Sequence, residues 1–238
     1  MNDERVEDLQ LDGLKLIQNT GGYCFTCDSV ILANFVKIKQ NEKALEIGTG
    51  SGVISILACH KNNANDITAV EIQESLYSLA ERNIKLNKLE EKIKVVNLDI
   101  KDFCKSSEYQ KYDVIYTNPP YYDAKSVILS NNKEKDICKY EVCLSLTELI
   151  DSVNKLLKNK GRFFIVYPAE RLVDLTCELR KKKIEPKRLF FTQASQKGNA
   201  NLVVIEAVKG GNPDLKVLPT LILDNDNYTE QIKKDYRK

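Results

Sequence analysis

A chain of 238 residues can bury one large core, and 29% charged against 42% hydrophobic side chains is the balance of an ordinary water-soluble globular protein. A formal net charge of +2 neither demands nor excludes a polyanionic partner, since a local basic patch can do what net charge does not. No run approaches the ~20 apolar residues that a bilayer crossing needs, and the acidic stretch 1–8 lacks the basic-then-apolar pattern of a secretory leader, so a cytoplasmic protein is expected.

In chain order, Asp12-Gly13 is a turn signal, 14–17 suits a short strand, and Asp28 or Ser29 can cap a short helix carrying Val30, Ile31, Leu32, Ala33 and Phe35. Strands and helices then alternate. Strand 43–47 precedes helix 53–60, and strand 67–70 precedes helix 74–87, with Leu76, Leu79, Ala80, Ile84 and Leu86 on or near one face. Strands 93–98 and 114–117 follow, then a helix from about Thr147 to Leu157, strand 162–167 and an amphipathic helix 170–182. Strands 187–192 and 202–208 close the pattern through the polar loop 196–201, short enough for a hairpin. This order predicts an α/β fold: a mostly parallel seven-stranded sheet with an antiparallel edge strand and helices on both faces. Gly210-Gly211-Asn212-Pro213 ends it.

The cysteines are odd in number, seven, and scattered. Cys24 and Cys27 form a lone C-x-x-C without a second ligand pair, and the single histidine, His60, is far away in sequence. Reduced thiols packed as small hydrophobes, with no metal, are the expectation.

Between the first strand of the alternating pattern and its helix lies Glu46-Ile47-Gly48-Thr49-Gly50-Ser51-Gly52. A glycine-rich turn at the carboxyl end of such a strand lets backbone approach a ligand closely. Glu71, about twenty residues on, ends the next strand, where a carboxylate can accept both hydroxyls of a ribose. The dinucleotide fingerprint would require glycine or alanine at position 53, which is Val53. The E-x-G-x-G-x-G spelling is instead similar to the S-adenosylmethionine loop of class I methyltransferases. That resemblance assigns Glu46, Gly48, Gly50 and Glu71 to the cofactor, and places Asp99, at the end of the third strand, beside its adenine.

Asn118-Pro119-Pro120-Tyr121 follows strand 114–117 and so projects from the same sheet edge. It resembles the N-P-P-Y motif of amino-group methyltransferases. A planar exocyclic amine is a poor nucleophile because its lone pair is delocalised. Two acceptors on its hydrogens, the Asn118 side-chain oxygen and the Pro119 carbonyl, favour a pyramidal nitrogen aligned with the methyl donor, and consecutive prolines stiffen the turn. Asn118, Pro119 and Tyr121 are the candidate catalytic residues, Asn118 also touching the cofactor and Tyr121 offering a face to a flipped base.

N-P-P-Y serves adenine N6, guanine N2 and glutamine amides alike. The stretch Gln18-Asn19-Thr20-Gly21-Gly22-Tyr23-Cys24-Phe25-Thr26-Cys27-Asp28-Ser29-Val30-Ile31-Leu32-Ala33 resembles the opening of the bacterial valine-tRNA adenine-N6 methyltransferase family, and Tyr228-Thr229-Glu230 with Ile232 and Tyr236 resembles the tail of its Gram-positive members. The resemblance covers nearly the whole chain. It implies a Rossmann-like class I fold, S-adenosylmethionine as cofactor, tRNA as partner, methylation of the adenosine 3′ of the anticodon, and Phe25 and Asp28 near the cofactor. One departure bears on substrate choice: the family's R-H-E triplet reads Lys139-Tyr140-Glu141, without the histidine. On this reading residues 1–40 pack on a catalytic domain 41–209, and 210–238 form a C-terminal extension of a monomer. The alternatives are a protein glutamine-N5 or rRNA guanine-N2 methyltransferase using the same turn, and a non-catalytic RNA-binding module. A basic run (Lys155, Lys158, Lys160, Arg162, Arg180, Lys181, Lys182, Lys183, Lys187 and Arg188) is permissive for RNA and equally fits a solvated face.

Overall fold

The computed structural model describes residues 4–19, 25–120 and 144–223. Two strands, β1 (Glu4–Asp8) and β2 (Lys15–Asn19), form an antiparallel hairpin of their own. Helix α1 (Cys27–Phe35) leads into the alternating part: β3 (Ala44–Ile47), α2 (Val53–Asn62), β4 (Ile67–Glu71), α3 (Glu74–Leu86), β5 (Ile93–Asn97), α4 (Ile100–Ser106) and β6 (Tyr112–Thr117). Then come α5 (Leu146–Leu156), β7 (Leu157–Pro168), α6 (Leu172–Lys181), β8 (Ile184–Gln193), β9 (Ala200–Lys209) and two short strands, β10 (Lys216–Val217) and β11 (Leu221–Ile222).

The main sheet runs β8-β9-β7-β6-β3-β4-β5, with β10 and β11 both parallel to the outer edge of β8. Strands β3 to β8 are mutually parallel, and β9 is antiparallel to both its neighbours. The antiparallel strand expected at the edge therefore lies one place inside it. The helical crossover α6 sets β8 one strand width away from β7, and the hairpin returns β9 into that slot, where it pairs on both sides instead of one.

Strand parity divides the core. Val114, Tyr116, Phe164, Val166 and Val204 face α1 and α2, whereas Ile115, Phe163, Ile165, Val203 and Ile205 face α4, α5 and α6. Both sets are buried, each such side chain stabilising by ~1.5–3 kcal/mol, so the central strands read as continuous apolar runs.

Three local features depart from the sequence reading. Helix α1 begins at Cys27 with Thr26 in the cap position, so Asp28 sits in the first turn, where its carboxylate accepts from Thr26 Oγ1 and Cys27 Sγ. Helix α4 was not foreseen. It is only seven residues long, and its start is set by Asp99, whose side chain accepts from the Lys101 amide. Strand β1 was also missed, its charged sequence being stabilised by pairing with β2. Helix α5, by contrast, begins with a full capping box between Ser145 and Glu148.

Among the described residues no helix is long and apolar enough to cross a membrane. Cys59 and Cys104 are buried free thiols, and Cys177 is exposed. Burial, reinforced by the adjoining Asp28 carboxylate, pushes the Cys27 thiol up to about 11, the opposite of an activated redox cysteine; Cys24 lies outside the described residues.

Candidate active site

Strands β3, β4 and β6 end side by side, and the turns that leave them line one cleft of about 900 Å³ including its open mouth. Gly48 and Gly50 adopt φ of +71° and +57°, which side-chain-bearing residues rarely take. A Cβ built on either meets no atom within 4 Å, so the missing side chains leave open space along the cleft wall.

Glu71 braces this turn. It is 5% exposed, its Oε2 accepts from the Gly50 amide at 2.8 Å, and its Oε1 accepts from the Gln73 amide at 2.9 Å. Asp99 lies on the neighbouring wall and caps α4 while lying 3.6 Å from Lys101 Nζ. The opposite wall is Thr117, Asn118, Pro119 and Pro120. Thus Gly48, Gly50, Glu71, Asp99, Asn118 and Pro119 share one cleft. Tyr121 lies outside the described residues, as do the triplet 139–141 and the tail from residue 224.

Glu46 is a correction. It does not line the cleft, being fully buried on the α2 side of β3. Its Oε2 accepts from Thr49 Oγ1 at 2.6 Å and from Ser55 Oγ, which is also bonded to the Tyr116 hydroxyl at 2.9 Å. Parity explains this: Glu46 and Tyr116 share the face that α2 covers, so this acid holds the glycine turn from beneath. Burial pushes its carboxyl up to about 8, against the opposing pull of the Ser55 and Thr49 hydrogen bonds. Its Oε1 has no hydrogen-bond partner among the described residues.

Phe25 lines the cleft, whereas Asp28 does not; the buried Ser29 does so instead. Sequence reasoning also missed Ile72 and Leu98, each 41% exposed, which present apolar surface on the cleft. Their signal was adjacency: Ile72 follows Glu71 and Leu98 precedes Asp99.

The basic run does not gather at this cleft. Lys158 pairs with Asp113, Arg162 with Glu42, Arg180 with Glu185, Lys182 with Asp151 and Arg188 with Glu206. Lys158, Arg162 and Lys182 lie at the amino ends of β7 and β8, away from the carboxyl edge that forms the cleft. Their charge is met within the fold.

The sequence profile of the methyltransferase small domain family matches residues 27–176, which includes both turns of the cleft. The chain belongs to that family. The methyltransferase is 28% identical to the tRNA1(Val) (adenine(37)-N6)-methyltransferase of a Flavobacteriaceae bacterium, over 76% of this chain and 80% of that protein. It is 29% identical to the protein of the same name from Shewanella baltica, where the alignment spans 63% of each chain. Among solved structures, a predicted O-methyltransferase from Agrobacterium tumefaciens superposes on the methyltransferase with a TM-score of 0.69 at 12% identity, over 88% of this chain and 96% of that one. The structural likeness shows the shared fold.

Proposed function

We propose that this methyltransferase transfers a methyl group from S-adenosylmethionine to the exocyclic N6 of adenine 37 in a valine tRNA. The observation that carries the reading is the convergence of the glycine turn and the Asn118-Pro119-Pro120 turn on one cleft. The names of the relatives supply the substrate class.

The residues present fit the cofactor. Gly48 and Gly50 leave a backbone cradle without side chains, Glu71 is positioned to accept ribose hydroxyls, and Ile72 and Leu98 flank Asp99 with apolar surface suited to a purine. When bound, S-adenosylmethionine supplies an electrophilic methyl on a sulfonium that carries its own leaving group, so no metal or covalent enzyme intermediate is needed. The protein's work is positional. Asn118 and the Pro119 carbonyl hold the two amine hydrogens, directing the nitrogen lone pair into the cleft. As the carbon–sulfur bond breaks and the carbon–nitrogen bond forms, the methylated nitrogen releases one proton to solvent through the open mouth of the cleft. Orientation of this kind can lower a barrier by ~7–11 kcal/mol. Tyr121 is the residue on which the flipped base stacks. The proposed working unit is one chain, which carries both turns.

Labelled methyl transfer to bulk tRNA and to a peptide release factor, run side by side, tests the reading. Label in tRNA recovered as N6-methyladenosine supports it. Label in the release factor, or as N2-methylguanosine, points to the other uses of the same turn, and no transfer to either removes it.

A further inference from the structure

Asn83 occupies a position that the apolar stripe of α3 reserves for a hydrophobe: Leu76, Leu79, Ala80 and Ile84 share its buried face, and Asn83 is itself 0% exposed. A buried carboxamide is retained only where its donors and acceptor are met. Here they are met from two separate segments. Asn83 Oδ1 accepts from the Ile17 amide at 2.6 Å, and Nδ2 donates to the Ile17 carbonyl at 3.1 Å, both on β2. The same Nδ2 donates to the Ser51 carbonyl at 2.9 Å, inside the glycine turn.

One turn further along α3, Asn87 repeats the first half of this pattern. Its Oδ1 accepts from the Lys15 amide at 2.9 Å, and Nδ2 donates to the Lys15 carbonyl at 2.8 Å. Four residues of helix rise ~6 Å and two residues of strand ~6.6 Å, so the two amides match the strand's own spacing and act as a surrogate neighbour for β2. Asn87 does not reach the glycine turn; only Asn83 bridges. The approach that lets it do so comes at Gly52, where a Cβ would already stand 3.4 Å from Ala80 Cβ, on the same face of α3 one turn before Asn83. From the other end of β2, buried Gln18 accepts from the amide of Phe25, which lines the cleft.

We infer that Asn83 is a positioning residue that locks the N-terminal hairpin to the glycine turn, making β1-β2 part of the apparatus that binds the methyl donor. Donor binding and hairpin docking are thereby coupled through the Ser51 carbonyl. This inference rests on the cofactor assignment above.

The test begins with the affinity of the unaltered protein for S-adenosylhomocysteine, measured by calorimetry. Asn83→Ala is then compared with Asn87→Ala, which loosens the same hairpin without touching the turn. Asn83→Ala is expected to raise Kd for S-adenosylhomocysteine and KM for S-adenosylmethionine by about tenfold, with kcat at saturating donor within about threefold. Asn87→Ala, acting through the hairpin alone, is expected to lower Tm and to raise Kd by a smaller factor, about threefold. An unchanged Kd in Asn83→Ala, or a Kd in Asn87→Ala that stays at the parental value although Tm falls, overturns the inference while the cofactor assignment stands. Absence of binding by the unaltered protein overturns both. Should Asn83→Ala not fold, amide hydrogen exchange on the unaltered protein decides the matter. Added S-adenosylhomocysteine must slow exchange at Ile17 together with Gly50 and Ser51, and slowing at the turn alone refutes the coupling.

Discussion

Thr117 Oγ1 donates a 2.8 Å hydrogen bond to the carbonyl of Ile47, so the last residue of β6 is tied to the last residue of β3. The glycine turn starts one residue after Ile47, and the acceptor turn one residue after Thr117. Both halves of the proposed chemistry thus leave from one buried, cross-linked stem, and motion of one stem displaces the other.

Replacing Thr117 by Val keeps the shape and removes the hydroxyl. Stability is expected to fall by about 1 kcal/mol, the usual net worth of such a bond, and kcat to fall with it as the two turns lose registration. Urea denaturation and steady-state kinetics check this; a variant matching the parent in both would show the tie to be idle.

Glu71 accepts from the amides of Gly50 and Gln73, and is proposed to accept ribose hydroxyls as well. Glu71→Ala is expected to weaken S-adenosylhomocysteine binding by at least about tenfold, since hydrogen bonds to charged groups contribute ~1.5–3 kcal/mol. Calorimetry giving the parental Kd would contradict the assignment.

Asn118→Ala removes a contact to the acceptor amine. Turnover is expected to drop by about a hundredfold or more, because misplacement by ~1 Å is enough for that, with donor affinity within a few-fold of the parent. Near-normal kcat would remove Asn118 from the mechanism.

Glu46 makes stability depend on pH in a stated direction. Burial raises its carboxyl from 4.5 to about 8, so between those values the folded state binds more protons than the unfolded one. This contribution is fully present below pH 4.5 and is lost as pH rises through about 8. Glu46→Gln cannot ionise and should flatten that part of the profile. Thermal melts of the two proteins between those pH values would settle it, and parallel curves would show that Glu46 is not the titrating group.

What the sequence determined by itself was local or periodic. Strand–helix alternation foretold the α/β sheet, and the glycine turn and Asn118-Pro119-Pro120 could be placed at strand ends because such turns carry their own backbone requirements. The acids Glu71 and Asp99 were legible for the same reason, standing at the carboxyl ends of strands. What only the tertiary structure decided depends on which face of an element is covered, and by what. Glu46 reads as a ligand residue in a motif, yet the parity of β3 turns it under α2. The basic run reads as a patch, yet carboxylates distant in sequence meet much of its charge, as Glu42 does for Arg162. Asn83 carries no motif; its meaning came from two backbone segments that fold to either side of it. Hydrogen bonds and ion pairs between residues far apart in the chain form only once the sheet is assembled, and no periodicity along the sequence records them.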